Sequence, residues 1–332
     1  MVTRPQTQRQ EKQTYFNDKL YFNATQADTC HKAKMTNTDF NVLSLFDGMS
    51  CGQLALNRAG IHYTNYYASE ISPAPIRITQ SNYPNTNQLG DVHNIKAKDL
   101  PHINLLLGGS PCQNLSQTTI NNIKHNQGLQ GDKSKLFYEY LRILNETKPQ
   151  YFLFENVASM TNANRELITQ ALEVEPIRIN SNLTTAQDRD RYYWTNIPNV
   201  TQPADMGVIL ADIIEPAVAD KYYYKQSHTY NGDNEKVQAT LHINGHDILK
   251  RVYNINGKCG TLTCVSGGNH QKKVFEGGKC RKLTPLEYER LQNVPDGYTM
   301  GASDTERYSM LGNGWTVDVI AHILKGITEN AQ

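Results

Sequence analysis

Residues 105–116, LLLGGSPCQNLS, contain the change of pattern from which the rest of the chain can be interpreted. The apolar run has the character of a buried strand, and it ends in two glycines, a Pro-Cys pair and a polar segment without helical periodicity. Cys112 is therefore predicted to lie where a buried strand opens into a loop. A thiolate there would be a strong nucleophile, but a lone cysteine is more often a small buried hydrophobe, so the surrounding sequence must decide.

Strands, glycine turns and helical segments alternate on both sides of this stretch. Residues 42–46 predict a buried strand, which the turn DGMSCG at 47–52 connects to a helical segment at 53–59. Further strands are predicted at residues 64–69, 88–92, 103–107 and 151–154. This order is typical of an α/β fold with a doubly wound, mostly parallel sheet.

Polar side chains follow four of these strands: Glu70, Asp91, Cys112 and Glu155. Because the carboxyl ends of parallel strands share one edge of the sheet, these groups are predicted to line one crevice. Glu70 lies about 20 residues beyond the glycine turn, where an acid commonly accepts hydrogen bonds from ribose hydroxyls. The turn does not have the GxGxxG spacing, which argues against a nicotinamide oxidoreductase and favours a nucleoside cofactor without a pyrophosphate, such as S-adenosylmethionine.

Composition and length restrict the class of protein. The chain has 332 residues, 38% of them hydrophobic, with 33 basic and 32 acidic residues and a net charge of +1. Since no apolar run approaches the ~20 residues of a membrane span and the first residues lack a signal peptide, we expect a cytoplasmic protein without a membrane partner. The six cysteines form no secreted disulfide framework and no standard zinc spacing, so no metal site is expected.

The pattern predicts four segments. Residues 1–40 form a polar arm without an assigned role, 41–202 a catalytic and cofactor-binding domain, 203–279 an irregular excursion rich in Tyr, Gly, Asn and Lys, and 280–332 a return that ends in a helix. Residues 250–290 carry nine basic side chains against three acidic ones. This segment is either a surface that follows phosphates or a solvated loop, and charge alone does not decide.

Five motifs, in order, resemble those of the DNA cytosine-5 methyltransferases. The resemblance covers residues 41–327, and Ser50-Cys51 in the first turn is closer to the animal de novo branch than to many bacterial members. The motifs are Pro111-Cys112-Gln113, Glu155-Asn156-Val157, QDRDRYYW at 187–194, RKLTP at 281–285 with ERLQ at 289–292, and LGNGWTV at 311–317.

The resemblance implies a catalytic set and its chemistry. Carbon 5 of cytosine is a poor nucleophile, so the family first adds a thiolate to carbon 6, the role implied for Cys112. Glu155 would donate to N3 of the ring. Arg189 would stabilise charge on the ring carbonyl with support from Arg191, although both could instead be salt-bridged or phosphate-positioning arginines.

S-adenosylmethionine, with S-adenosylhomocysteine as product, is the implied cofactor. Glu70 would hold the ribose, Asp91 the exocyclic amine of adenine, and Ile71 and Val92 the faces of the adenine ring. The remaining pocket residues implied by the resemblance are Phe46, Asp47, Gly48, Met49, Gly314 and Trp315.

Double-stranded DNA is the implied partner, and residues 203–279 are the candidate target recognition domain. A cytosine inside a duplex cannot reach Cys112, so the base must be swung out of the stack. The implied nucleic-acid contacts are Gln113, Ser116, Lys272, Lys273 and Lys279. A monomer is expected, with self-association possible by analogy with the animal branch. The alternatives are a tRNA cytosine-5 methyltransferase and a non-catalytic DNA-binding relative; the intact Cys112, Glu155 and Arg189 argue against the latter.

Overall fold

A computed structural model describes residues 39–110, 136–265 and 269–329. Cys112, Gln113, Ser116 and all but the last two residues of the expected arm lie outside the described residues. Among the residues described, no helix has both the length and the apolar character needed to cross a bilayer.

The centre of the molecule is a seven-stranded sheet with the strand order β3-β2-β1-β4-β5-β8-β6. Strands β1 to β5 are mutually parallel, whereas β8 runs antiparallel to both of its neighbours. This confirms the predicted α/β fold with a mostly parallel sheet. The strands are β1 (Asn41–Leu45), β2 (Asn65–Ser69), β3 (Asn87–Gln88), β4 (Leu105–Gly108), β5 (Tyr151–Val157), β6 (Ile177–Asn180) and β8 (Asp190–Thr195).

Helices cover both faces of the sheet, so its strands are buried on both sides. Successive residues of β4 enter different clusters, Leu105 and Leu107 one core and Leu106 the other, as the two-residue period of a strand requires. The helices are α1 (Cys51–Ala59), α2 (Pro73–Asn82), α3 (Leu136–Thr147), α4 (Asn162–Leu172), α5 (Asp247–Lys250), α6 (Pro285–Leu291), α7 (Asp304–Asn313) and α8 (Val317–Glu329). The C-terminal α8 is joined to α1 by an ion pair between Arg58 and Asp318 at 2.6 Å.

A second sheet occupies the excursion, in the order β14-β13-β11-β10-β9. Its strands are β9 (His228–Tyr230), β10 (Val237–Leu241), β11 (Arg251–Asn254), β13 (Lys273–Glu276) and β14 (Lys279–Lys282). The sheet therefore extends past the boundary expected at residue 279. The excursion is also joined to the first domain, because β12 (Cys259–Gly260) pairs with β7 (Gln187–Asp188). Leu210 and Leu262 of the excursion also enter the core cluster that contains Leu105 and Leu107.

The third strand is shorter than expected. It ends at Gln88, because Gly90 adopts a left-handed conformation with φ +73° that a continuing strand cannot contain. Asp91 then caps a short 3₁₀ turn, Val92–Asn94, by accepting a hydrogen bond from the backbone N–H of His93. The acid still follows the strand at the carboxyl edge of the sheet, as the sequence predicted.

Candidate active site

Glu155 is held at both carboxylate oxygens. Its Oε1 lies 2.8 Å from Nε of Arg191, and its Oε2 accepts a hydrogen bond of 3.2 Å from the indole Nε1 of Trp315. Arg191 comes from β8, where it pairs with Val157, so the antiparallel register brings it to the face of β5 that carries Glu155. Glu155 is only 8% exposed, and the positive charge of Arg191 compensates for its buried negative charge.

The chain leaving β4 is fixed against this carboxylate. A Cβ added at Gly109 would lie 2.8 Å from Oε2 of Glu155 and 2.9 Å from Nε1 of Trp315, so a side chain there could not be accommodated without displacement. The next residue, Ser110, accepts hydrogen bonds from Nδ2 of Asn156 at both its carbonyl and its hydroxyl oxygen, each at 3.2 Å. Ser110 is the last described residue before Cys112, so the segment carrying that cysteine begins beside Glu155.

Arg189 is bound by backbone carbonyls of other segments. Its guanidinium is buried and donates to the carbonyl oxygens of Leu262 at 3.2 Å, Gly312 at 3.3 Å and Gly314 at 2.9 Å. It therefore joins the excursion to the C-terminal segment. Arg191 is therefore the arginine that contacts Glu155, and the catalytic roles expected for Arg189 and Arg191 stay predictions.

A buried amide network supports the segment that carries Trp315. Gln292 donates to the carbonyl of Gly314 at 3.0 Å and accepts from the hydroxyl of Thr316 at 2.9 Å. Gln187 donates to Oε1 of Gln292 at 3.0 Å. Both glutamines belong to motifs of the sequence analysis, but no local pattern indicates that they fix the residues on either side of Trp315.

Glu70 is oriented by three backbone amides. It accepts from Gly48 at 3.0 Å, and from Ile71 and Ser72 at 2.8 Å each. Phe46 and Gly48 both have left-handed backbone conformations, with φ +58° and +59°. The first turn is therefore bent sharply, toward the carboxylate of Glu70. Ile71 is 69% exposed directly beside it, an apolar surface open to a ligand, whereas Val92 is buried.

One carboxylate oxygen of Asp91 already bonds to His93, a residue that the sequence analysis did not single out. Its Oδ1 accepts from the backbone N–H of His93 at 3.0 Å and lies 2.7 Å from the ring Nδ1. The hydrogen bonds from that amide and from the imidazole lower the pKa of the Asp91 carboxyl. Within the described residues no hydrogen bond is recorded to Oδ2, so this oxygen can accept from a ligand.

The carboxylate of Asp47 points inward rather than into the crevice. It accepts hydrogen bonds from the hydroxyls of Tyr66, at 2.6 Å, and Ser50. Burial raises the pKa of the Asp47 carboxyl to about 6. Met49 is buried as well, and its side chain lies under Gly314, where an added Cβ would be 3.0 Å from Cε. The side chains of Asp47 and Met49 therefore support the first turn from the interior of the protein.

Two of the three lysines expected to hold phosphates are not at the surface. Lys272 is 8% exposed and Lys273 1%, and Nζ of Lys273 donates to the backbone carbonyls of Asn269 and Gln271. Burial lowers the pKa of the Lys273 amine to about 8. Phosphate contact by Lys272 and Lys273 stays a prediction, and the burial of both side chains gives it no support.

Lys279 is exposed, and it belongs to a group of lysines and tyrosines that the sequence did not indicate. Its Nζ lies 5.7 Å from the ring centroid of Tyr223, while Lys221 and Lys282 lie 5.0 and 5.5 Å from that of Tyr222. We call these five residues the lysine–tyrosine cluster.

The buried cysteines that the structure describes are unsuited to nucleophilic chemistry. Burial raises the pKa of the thiols of Cys51 and Cys259 to about 12 and that of Cys280 to about 11. Nor do the described residues contain a group of three or more His, Cys, Asp or Glu side chains placed to hold a metal ion.

Comparison with known proteins agrees with this arrangement. The profile of the C-5 cytosine-specific DNA methylase family matches residues 40–329. The Type II methyltransferase M.Bsp6I of Bacillus sp. (strain RFL6) is 28% identical over 316 residues, which cover 86% of this chain and 98% of the relative. M.HhaI of Haemophilus parahaemolyticus, also a Type II methyltransferase, is 25% identical over 317 residues, 87% of this chain and 94% of the relative.

Solved structures show the same fold at lower identity. The methyltransferase EhMeth of Entamoeba histolytica is 16% identical and superposes with a TM-score of 0.68 over 89% of this chain and all of its own. A DNMT2 mutant of Spodoptera frugiperda is 19% identical, with a TM-score of 0.64 over 87% of this chain and all of its own. With the family profile spanning nearly all of the described residues, the chain belongs to the family of C-5 cytosine-specific DNA methylases and is a DNA cytosine-5 methyltransferase.

Proposed function

We propose that the chain transfers a methyl group from S-adenosylmethionine to carbon 5 of a cytosine that has been swung out of duplex DNA, through a covalent adduct with Cys112. The observation that carries the proposal is the Glu155 carboxylate, fixed by Arg191 at the edge where the segment carrying Cys112 begins. Its burial and its charge partner are those expected of a group that binds a heterocyclic base.

Each side chain has a defined part in this reaction. The thiolate of Cys112 adds to carbon 6, and the carboxyl group of Glu155 donates its proton in a hydrogen bond to N3, so that carbon 5 becomes nucleophilic. Carbon 5 would then take the methyl group from the sulfonium, with S-adenosylhomocysteine as the leaving group. Arg191 keeps the carboxylate in place and puts positive charge where the ring carbonyl gains electron density. Loss of the carbon 5 proton to a base and expulsion of Cys112 then give 5-methylcytosine and the free thiolate.

The crevice at the strand ends fits the cofactor. Glu70, oriented by three amides, would accept from the two ribose hydroxyls, and Oδ2 of Asp91 would accept from the exocyclic amine of adenine. The exposed side chain of Ile71 supplies an apolar surface for the adenine ring. When bound, the cofactor supplies a methyl group on a sulfonium, a leaving group that needs no metal or general acid.

We assign DNA contact to the second sheet and to the lysine–tyrosine cluster. Lys279 and Lys282 would offer positive charge to phosphates, each with its amine near a tyrosine ring, whereas Lys221 is ion-paired with Asp304 at 3.0 Å. Because the relatives are Type II methyltransferases, we propose that the chain recognises one short duplex sequence.

Methyl transfer tests this function directly. The purified protein and a Cys112→Ser variant are incubated with duplex DNA and methyl-labelled S-adenosylmethionine, and the product is sequenced for 5-methylcytosine. Label at cytosine in one short context, lost with the variant, supports the proposal. Label that enters tRNA but not DNA would instead establish the RNA-directed alternative, and cofactor binding without any transfer would indicate a non-catalytic relative.

A second substrate tests the covalent step. A duplex with 5-fluorocytosine at the target position retains fluorine where the proton would be lost, so the adduct cannot resolve after methyl transfer. We expect a protein–DNA species that survives denaturing electrophoresis, with the mass of protein, DNA and one methyl group, and none with Cys112→Ser. Methylation of normal DNA without such a trapped species would contradict the adduct.

A further inference from the structure

The hydrogen bond between Trp315 and Glu155 joins two parts of the site. Nε1 of Trp315 donates to Oε2 of Glu155 at 3.2 Å, and Arg191 occupies the other oxygen at 2.8 Å. The terminal torsion of a glutamate is otherwise broad, so a carboxylate with only one partner could still rotate. With a donor on each oxygen, its plane is fixed.

Gly109 closes the space above this hydrogen bond. A Cβ there would be 2.8 Å from Oε2 of Glu155 and 2.9 Å from Nε1 of Trp315, closer than real Cβ contacts allow. The backbone at Gly109, directly after β4, therefore packs onto both partners. Any side chain at 109 would have to push the indole and the carboxylate apart.

The backbone on either side of Trp315 is fixed independently of the indole. The carbonyl of Gly314 accepts from Arg189 at 2.9 Å and from Gln292 at 3.0 Å. The hydroxyl of Thr316 donates to Gln292 at 2.9 Å and accepts from Ser181 at 2.9 Å. These contacts place the indole before any ligand binds, which is what a preorganised donor requires.

We propose that Trp315 is a positioning residue for catalysis, whose indole N–H holds the Glu155 carboxylate in the orientation needed at N3 of cytosine; this rests on the proposed function. A wall of the cofactor pocket needs only an aromatic surface, which phenylalanine also supplies. Donation to Glu155 requires the indole nitrogen. The choice of tryptophan is therefore explained by the carboxylate rather than by the cofactor.

The kinetic test uses Trp315→Phe, which keeps a ring and removes the donor. A hydrogen bond to a charged group has a strength that corresponds to roughly a tenfold to hundredfold change in rate, so we expect kcat at saturating S-adenosylmethionine to fall by that factor with little change in KM for the cofactor. The matched control is Trp194→Phe, which removes another buried indole donor, to Thr169 at 2.9 Å, away from Glu155. Its kcat should stay within about twofold of the wild type.

A purely structural or cofactor-lining role gives a different result. If Trp315→Phe raises KM for the cofactor and leaves kcat unchanged, the proposal is wrong. Gly109→Ala provides a second route to the same contact, because the added methyl wedges between the partners, and it should lower kcat in the same way. Retained kcat in this variant, with a folded protein, would also contradict the proposal.

Nuclear magnetic resonance tests the contact without any turnover. The chain has only two tryptophans, so its indole ¹H–¹⁵N spectrum contains two signals, which Trp194→Phe and Trp315→Phe assign. Glu155→Gln should move the Trp315 signal and leave the Trp194 signal in place. If the Trp315 signal does not move in Glu155→Gln, the proposal is overturned. If the signal moves but the wild-type protein does not methylate DNA, the contact exists and the proposed function fails.

Discussion

Arg191 reaches Glu155 at 2.8 Å, whereas Arg189, two residues earlier, binds three carbonyl oxygens of other segments. The difference arises because β7 ends at Asp188 and β8 begins at Asp190, so Arg189 lies at the break between them. Arg191 is inside β8 and takes its direction from the pairing with β5. The same residue type therefore contacts the buried carboxylate at one position and joins separate segments of the chain at the other.

Lysine substitutions should separate these two roles. Arg191→Lys keeps the charge but cannot reproduce the planar contact to Glu155, so we expect kcat to fall about a hundredfold with little loss of stability. Arg189→Lys leaves buried backbone carbonyl oxygens without their hydrogen-bond donors, so we expect the free energy of unfolding to drop by about 3 kcal/mol. Chemical denaturation and turnover per folded molecule measure the two effects. A larger kcat loss in folded Arg189→Lys than in Arg191→Lys would contradict the assignment.

The sequence predicted the acids at the strand ends because each follows an apolar run whose length and period are visible locally. Glu70 and Asp91 follow their strands as predicted, whereas Glu155 lies inside β5, which continues to Val157 beyond the predicted end at residue 154. The choice between Arg189 and Arg191 depends on where a strand breaks and how it pairs with β5, which are properties of the tertiary structure.

Burial of the lysines in the second sheet was not predictable in the same way. Charge along the sequence does not reveal which side chains the tertiary structure covers, so the burial of Lys273 has no local signal. The pairing of Trp315 with Glu155 spans 160 positions in the chain and likewise has no local signal.

Lys279 is expected to contact DNA through its charge. Removing one phosphate contact lowers the slope of log affinity against log salt by about 1, so Lys279→Ala should bind duplex DNA more weakly at low salt and with this shallower slope. Titrations by fluorescence anisotropy at several salt concentrations measure it. Lys325→Ala, an exposed lysine on α8, is the matched control. Equal slopes for the Lys279 variant and the wild type would remove this residue from the interface.

Asp47 should make stability depend on pH. Its pKa is raised from 3.8 to about 6 chiefly by burial, so between these values the folded protein holds a proton that the unfolded chain has released. The free energy of unfolding should therefore fall as pH rises from about 4 to 6, by at most about 3 kcal/mol, at 1.36 kcal/mol per unit.

Asp47→Asn removes this titration while retaining an acceptor for Tyr66. Other groups titrate in both proteins, so the informative quantity is the wild-type value minus the variant value, from urea denaturation at each pH. We expect this difference to decrease between pH 4 and 6 and to be constant above pH 7. A difference that rises with pH would mean that the carboxylate is stabilised in its charged form.

Gly312 lies where α7 meets the excursion. A Cβ at this position would be 2.2 Å from the carbonyl oxygen of Thr263, a backbone atom that cannot rotate away. The carbonyl of Gly312 also accepts from Arg189, so displacement would disturb both contacts. Although alanine normally favours a helix, we expect Gly312→Ala to destabilise the protein by about 3 kcal/mol because of this overlap.

Thr305→Ala, on the exposed side of the same helix, should change stability by less than about 0.5 kcal/mol. Thermal and urea unfolding compare the two, and a Gly312→Ala variant at least as stable as the wild type would show that the two segments do not pack this closely.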